Sequence, residues 1–176
     1  MFEFAGSFWP NARNVNNLIA PFDKLEEYQK IPHQQEVIKN KVAGISLLYN
    51  KTNPDYYIRD GFIVFKYGHC YTRTPIHQTD GNTKLSAADL RDLYTKYSDQ
   101  LTHYIKGSFI ILLIDENQRS FQAFSDRLNI LSLYYIRKKN ELLFSSSLQA
   151  LVQLLKDRAY PIKLNHVSAI EYTLFD

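Results

Sequence analysis

A chain of 176 residues with 45% hydrophobic content suits one globular domain, able to bury about 70% of its unfolded surface without metals or disulfides. Thirteen Tyr, eleven Phe and one Trp against six Gly and six Pro exclude a collagen-like, linker-like or disordered chain. With 21 basic and 18 acidic residues mixed along the chain, the formal charge of +3 gives no argument for nucleic acid or an anionic membrane.

Phe2 to Trp9 (FEFAGSFW) reads as a strand closed by Pro10-Asn11. DKLEEYQKI suggests a short helix, and the polar stretch through Pro32, Gln34 and Gln35 carries no assignment. AGISLLY, from Ala43 to Tyr49, is a second strand followed by the turn cluster KTNPD. Asp60-Gly61 is a strong tight-turn signal. After it, Phe62 to Tyr71 alternates two partly apolar side-chain sets. Ser86-x-x-Asp89 is a capping-box variant opening a helix. Its apolar positions Leu90, Leu93, Tyr94, Tyr97, Leu101 and Ile105 keep helical spacing, with Gly107 placed to end it. FIILLI, from Phe109 to Ile114, has the continuous apolar character of a strand covered on both faces. SFQAFSD alternates, LYYIR and ELLFSS form a hairpin around KKN, and SLQALVQLLKD is an amphipathic helix with a serine cap. A last helix, HVSAIEYTLF, follows with Asn165 as its cap. Hairpins with helices before, between and after them imply an α+β fold of antiparallel sheets packed under helices.

Cys70 is the only cysteine, so no internal disulfide or thiolate-rich zinc site can form. The N-terminus lacks the basic flank and apolar core of a signal peptide, and no run approaches the length of a membrane span. The expected location is therefore cytoplasmic, with neither membrane nor nucleic acid as partner. Neighbouring His69 and Cys70 on a strand point to opposite faces, which makes Cys70 a buried small hydrophobe and not half of a catalytic pair. Ser7 and Ser46 have no visible base partner, the five histidines show no metal-ligand spacing, and Arg137-Lys138-Lys139 reads as a solvated hairpin turn. No metal site is expected.

From Leu93 to Leu155 the order of features resembles the N-terminal domain of asparagine synthetases: a helix, G-x-F with an apolar strand and Asp, D-R-x-G-x-x-x-L-Y-Y, then F-A-S-E and K-A-L. Gly107, Phe109, Asp115, Asp126, Arg127, Leu133, Tyr134, Tyr135, Phe144, Ser145, Ala150 and Leu151 follow that order, with Asn129 in place of the usual Gly. AGSF near the start and LNHVSAIEYTLF at the end resemble the family more weakly. The resemblance implies a class II glutamine amidotransferase-like domain over residues 1–160 and a segment over 161–176 leading toward a synthetase domain. It implies an N-terminal-nucleophile (Ntn) hydrolase-like, four-layer αββα sandwich of two antiparallel sheets between helices.

In active members an N-terminal Cys thiolate attacks the glutamine amide while its own α-amino group acts as base. The corresponding position here is Phe2, which has no nucleophilic atom. The carboxylate-binding Arg of the family aligns with Gly44, and its oxyanion-hole Asn-Gly pair with Tyr67-Gly68. Its glutamine-holding Asp falls near Ser86, unless Asp89 substitutes. Loss of an oxyanion donor alone costs about 10²–10³ in rate. No catalytic residue is therefore assigned; Phe2, Gly44, Tyr67, Gly68 and Ser86 are vestigial pocket positions, with Phe2 and Tyr67 filling the pocket, and Asp126-Arg127 is a structural turn pair. The S-G-G-x-D-S pyrophosphate loop of the synthetase domain is absent.

The expected role is a non-catalytic scaffold or docking partner for an asparagine synthetase-like domain or subunit, in cis or in trans. ATP and magnesium belong to that partner and no cofactor to this chain. The alternatives are a stand-alone module binding a small ligand or peptide in the remodelled pocket and, third, an active glutamine amidohydrolase. A homo-oligomer is compatible with each.

Overall fold

The computed structural model describes residues 2–10, 21–25, 32–50, 54–72, 83–138 and 140–162. Nine strands are formed among them: β1 (Phe2–Phe8), β2 (Gln34–Lys39), β3 (Ala43–Tyr49), β4 (Asp55–Arg59), β5 (Phe62–Thr72), β6 (Ile105–Asp115), β7 (Ser120–Ser125), β8 (Tyr134–Lys138) and β9 (Glu141–Ser145). Helix α1 spans Ala87–Tyr97, α2 is the single turn Leu101–Tyr104, and α3 spans Leu148–Asp157.

The strands make two antiparallel sheets, one in the order β2-β3-β1-β9-β8 and one in the order β4-β5-β6-β7. Period-two alternation sends each strand's side chains to two different layers. Phe4, Phe8, Ile45, Leu47, Phe65, Ile110, Leu112 and Phe144 meet in the core between the sheets. Ala5, Leu48 and Leu143, on the other face of the first sheet, pack against Leu151 and Leu154 of α3. Val64, Cys70, Ile111 and Leu113, on the outer face of the second, pack with Leu90 of α1. The result is the expected α+β, Ntn-like arrangement of four layers.

The strand from Phe2, the strand Ala43–Tyr49, the Asp60-Gly61 turn, the hairpin around residues 138–140 and the Ser147-capped helix all form where the sequence places them. At the tight turn both Asp60 (φ 52°) and Gly61 (φ 79°) adopt positive φ, the conformation of a type I′ hairpin.

The long helix over residues 86–105 is corrected. Helix α1 ends at Tyr97 because Ser98 turns to φ 48°, ψ −126° while its N–H bonds the Tyr94 carbonyl. A 3-10 turn and α2 follow, and Ile105 already begins β6. Leu101 and Ile105 are still buried with Leu90, so the apolar spacing reported burial correctly and backbone continuity wrongly. The break also brings Tyr97 and Tyr104 into a stack with centroids 3.6 Å apart, whereas residues seven apart on an unbroken helix are separated by about 10 Å along the axis.

Gly107 consequently stands inside β6, opposite Cys70, at φ 127°. Strand β2 lies within the stretch left unassigned: it is an edge strand whose polar residues leave only Ile38 buried, a composition that protects a sheet edge from further pairing. Of DKLEEYQKI, residues 26–31 lie outside the described residues, and the described part ends a 3-10 turn, Pro21–Lys24. The last helix, residues 165–175, also lies outside them.

Candidate functional site

The head of β1 is held in the middle of its sheet, with Phe2 opposite Tyr49 of β3 and Ala5 opposite both Ser46 and Ser145. Ser145 Oγ donates to the Phe4 carbonyl at 2.8 Å, and Phe4 N–H donates to Ser146 Oγ at 2.9 Å. Phe4 points across the inter-sheet core, its ring centroid 5.0 Å from Phe65 and 5.4 Å from Tyr67. The head of β1 thus crosses the middle of β5, near Tyr67. Burial pushes the Tyr67 phenol above its ordinary pKa, and the nearby Glu3 charge adds to the effect.

Gly68 adopts φ 90°, and a Cβ there would stand 2.3 Å from the Ser108 carbonyl oxygen and 2.5 Å from Leu131 Cδ1. Opposite it, Phe109 directs its N–H to Asp126 Oδ2 (3.3 Å) and its carbonyl to the Asp126 N–H (3.1 Å), away from Gly68. On the other edge of β5, Lys66 faces Asp55 of β4, while Cys70 and Thr72 bond Leu85 and Thr83. On that edge Gly68 therefore falls in the interval between β4 and residues 83–85, which bridge to β5 at Tyr71.

Asp126 builds the loop that reaches Gly68. Its second carboxylate oxygen accepts from Leu128 N–H (2.9 Å) and Ile130 N–H (3.5 Å), and its carbonyl accepts from Asn129 N–H (3.1 Å). Asn129 sits at φ 49°, a region that Asn tolerates best after Gly. This accounts for Asn where the resembled motif has Gly. Arg127 is exposed on the loop.

The other positions that the resemblance points to lie apart from Tyr67 and Gly68. Gly44 pairs with Ser7 and with Lys39. Five residues of strand, roughly 17 Å, separate Ser7 from Phe2 along β1. Ser86 is the N-cap of α1 in the outer helical layer: its Oγ accepts from Asp89 N–H at 3.2 Å while its own N–H donates to Asp89 Oδ2 at 2.8 Å. The Asp89 carboxylate is thereby engaged in the capping box. Phe4, two residues from Phe2 on β1, meets Tyr67 beside Gly68; Gly44, opposite Ser7, and Ser86, in the outer layer, do not join them.

Cys70 is fully buried among Leu85, Leu90 and Ile105. Burial pushes its thiol up to about 12, against a smaller lowering by Lys66. His69 is exposed on the opposite side of the strand. Ser7 and Ser46 are fully buried, and their hydroxyls have no hydrogen-bond partner among the described residues. Neither has a base to activate it. Among the described residues no cluster of three or more His, Cys, Asp and Glu is placed to hold a metal, and no helix is long and apolar enough to cross a membrane.

Sequence reading did not anticipate the Lys66–Asp55 pair. Lys66 is buried beneath α1, donates to the Leu85 carbonyl at 2.6 Å and pairs with Asp55, whose other oxygen accepts from Ala87 N–H at 2.9 Å. One charge pair thereby ties β4, β5 and the start of α1 together. A lysine on an apolar strand face was the available signal.

A family model described as a glutamine amidotransferase domain matches residues 71–153. The matched region runs from the end of β5 into α3 and contains Ser86, Asp126 and Arg127; Phe2, Gly44, Tyr67 and Gly68 precede it. Together with the four-layer sandwich, the match supports a glutamine amidotransferase-like domain. No curated protein matches the chain.

Proposed function

We propose that this is a catalytically silent glutamine amidotransferase-like domain that serves as scaffold or docking partner for an asparagine synthetase-like domain or subunit. The observation that carries the reading is the head of β1. The nucleophile of this class of enzyme belongs at the first residue of that strand, which here reads Phe2-Glu3-Phe4. None of the three side chains is a thiol or hydroxyl, so acyl transfer from glutamine has no acceptor there. The Asp126 loop, with Leu131 against Gly68, supports the same reading by preserving the family's framework around a site without its chemistry. ATP and magnesium, on this reading, act in the partner. The cytoplasm is the matching location.

Two measurements on the purified chain test this. Ammonia release from glutamine is expected to stay at the level of the enzyme-free control, and the chain is expected to co-elute with a purified asparagine synthetase-type subunit of the same source. Glutamine hydrolysis above the control overturns the silent assignment. Failure to co-elute overturns the docking role and favours a stand-alone binding module.

A further inference from the structure

A cavity of about 760 Å³ opens at the end of β1 away from Phe2, lined from both sheets by β7 and β8. These are the outermost strands of their sheets, and neither has a second strand partner among the described residues. The cavity's inner wall is aromatic: Phe121 lies between Phe8 (centroids 5.7 Å) and Phe144 (5.0 Å).

Its rim is basic, with no ionic partner among the described residues. Arg137 and Lys138, read from the sequence as part of a solvated turn, end β8 and line it. Arg137 is exposed and has no ion pair among the described residues, and Lys138 Nζ lies 5.2 Å from the Tyr160 ring centroid with no carboxylate on it. Glu141, the only acidic residue of the lining among the described residues, is already committed: it accepts from Arg158 Nε at 3.1 Å and from the Tyr160 hydroxyl at 3.2 Å. A cavity within the size range of small-ligand sites, with an aromatic inner wall and, at its mouth, positive charge that has no ionic partner among the described residues, fits a molecule with an apolar body and an anionic end.

We propose that this cavity binds an amphiphilic carboxylate, its apolar chain against Phe8, Phe121 and Phe144 and its carboxylate at Arg137 and Lys138. The site includes neither Phe2 nor Tyr67, and the proposal stands or falls independently of the amidotransferase reading.

Trp9, the only tryptophan, is flanked by the two lining residues Phe8 and Pro10 and reports on the cavity by its fluorescence. The full chain is titrated below micellar concentrations with dodecanoate, dodecanol and dodecylammonium. Dodecanoate is expected to bind one to one and about tenfold more tightly than the other two. Arg137→Glu is expected to remove that advantage and Arg137→Lys to retain most of it. Ala123→Phe, which places a ring on the cavity wall, is expected to weaken all three amphiphiles, with calorimetry as readout and an unchanged circular dichroism spectrum. Equal binding of the three amphiphiles, an undiminished response in Arg137→Glu, or no binding by the full chain overturns the proposal.

Discussion

Asp126 is 7% exposed and gathers three main-chain N–H groups, from Phe109, Leu128 and Ile130, onto one carboxylate. Asp126→Ala strands the buried Phe109 N–H and frees the loop donors of Leu128 and Ile130, and is expected to cost about 1–3 kcal/mol in urea denaturation. Asp126→Asn, retaining one acceptor oxygen, is expected to cost less. The Cys70 thiol gives a second test. Held up at about 12 by burial, it is expected to be inert to a thiol reagent in the native protein at neutral pH and to react once the chain is unfolded. The linkage has a definite sign. The folded-state pKa is raised above the ordinary value of 9.0, so the unfolded chain loses this proton first. Stability from this group is intact below pH 9 and falls toward pH 12, by up to about 1.4 kcal/mol per pH unit. Replacing Cys70 by Ala is expected to flatten that part of a stability–pH curve.

Helix α1 shows what an element owes to charge placed beneath it. Its apolar stripe includes few fully buried residues, and Asp55 fixes its first turn by accepting from Ala87 N–H while pairing with Lys66. Asp55→Ala strands a buried ammonium and is expected to cost about 3–5 kcal/mol. Lys66→Met leaves Asp55, one-third exposed, free to meet water, and is expected to cost less. In Asp55→Ala/Lys66→Met the loss is expected to fall well below the sum of the single losses, which a double-mutant cycle with urea midpoints measures. Elements defined by alternation or capping were legible in the sequence, as β3, β7 and the Ser147-capped α3 show. The end of α1 was not, because Leu101 and Ile105 satisfy helical spacing and strand burial alike. Strand β2 was hidden for the opposite reason: its polar edge residues leave little alternation to detect.

For the whole molecule, the four layers follow from strands whose two faces are both apolar, a pattern the sequence displayed in residues 62–71 and 109–114. The distribution of the positions that the resemblance points to was not legible, since only the β1–β3 register reveals that Gly44 stands opposite Ser7 and not near Phe2. The cavity at the open edge was hidden too, because it joins β1, β7, β8 and β9, which come together only on folding. The layering also sets a hierarchy of opening. Strands β5 and β6 pair over their full eleven residues and are flanked by β4 and β7. Their amides between Ile63 and Tyr67 and between Ile110 and Ile114 are expected to be the slowest to exchange with deuterium, with those of β2 and β8 among the fastest strand amides.

Within that long ladder two glycines press on each other's surroundings. A Cβ on Gly68 would meet the Ser108 carbonyl at 2.3 Å, and one on Gly107 would meet the His69 carbonyl at 2.1 Å, so each is hemmed in by the residue next to the other. Although distant in sequence, the two positions each exclude a side chain: the obstacle at each is a main-chain carbonyl oxygen, which no substitution at the other removes.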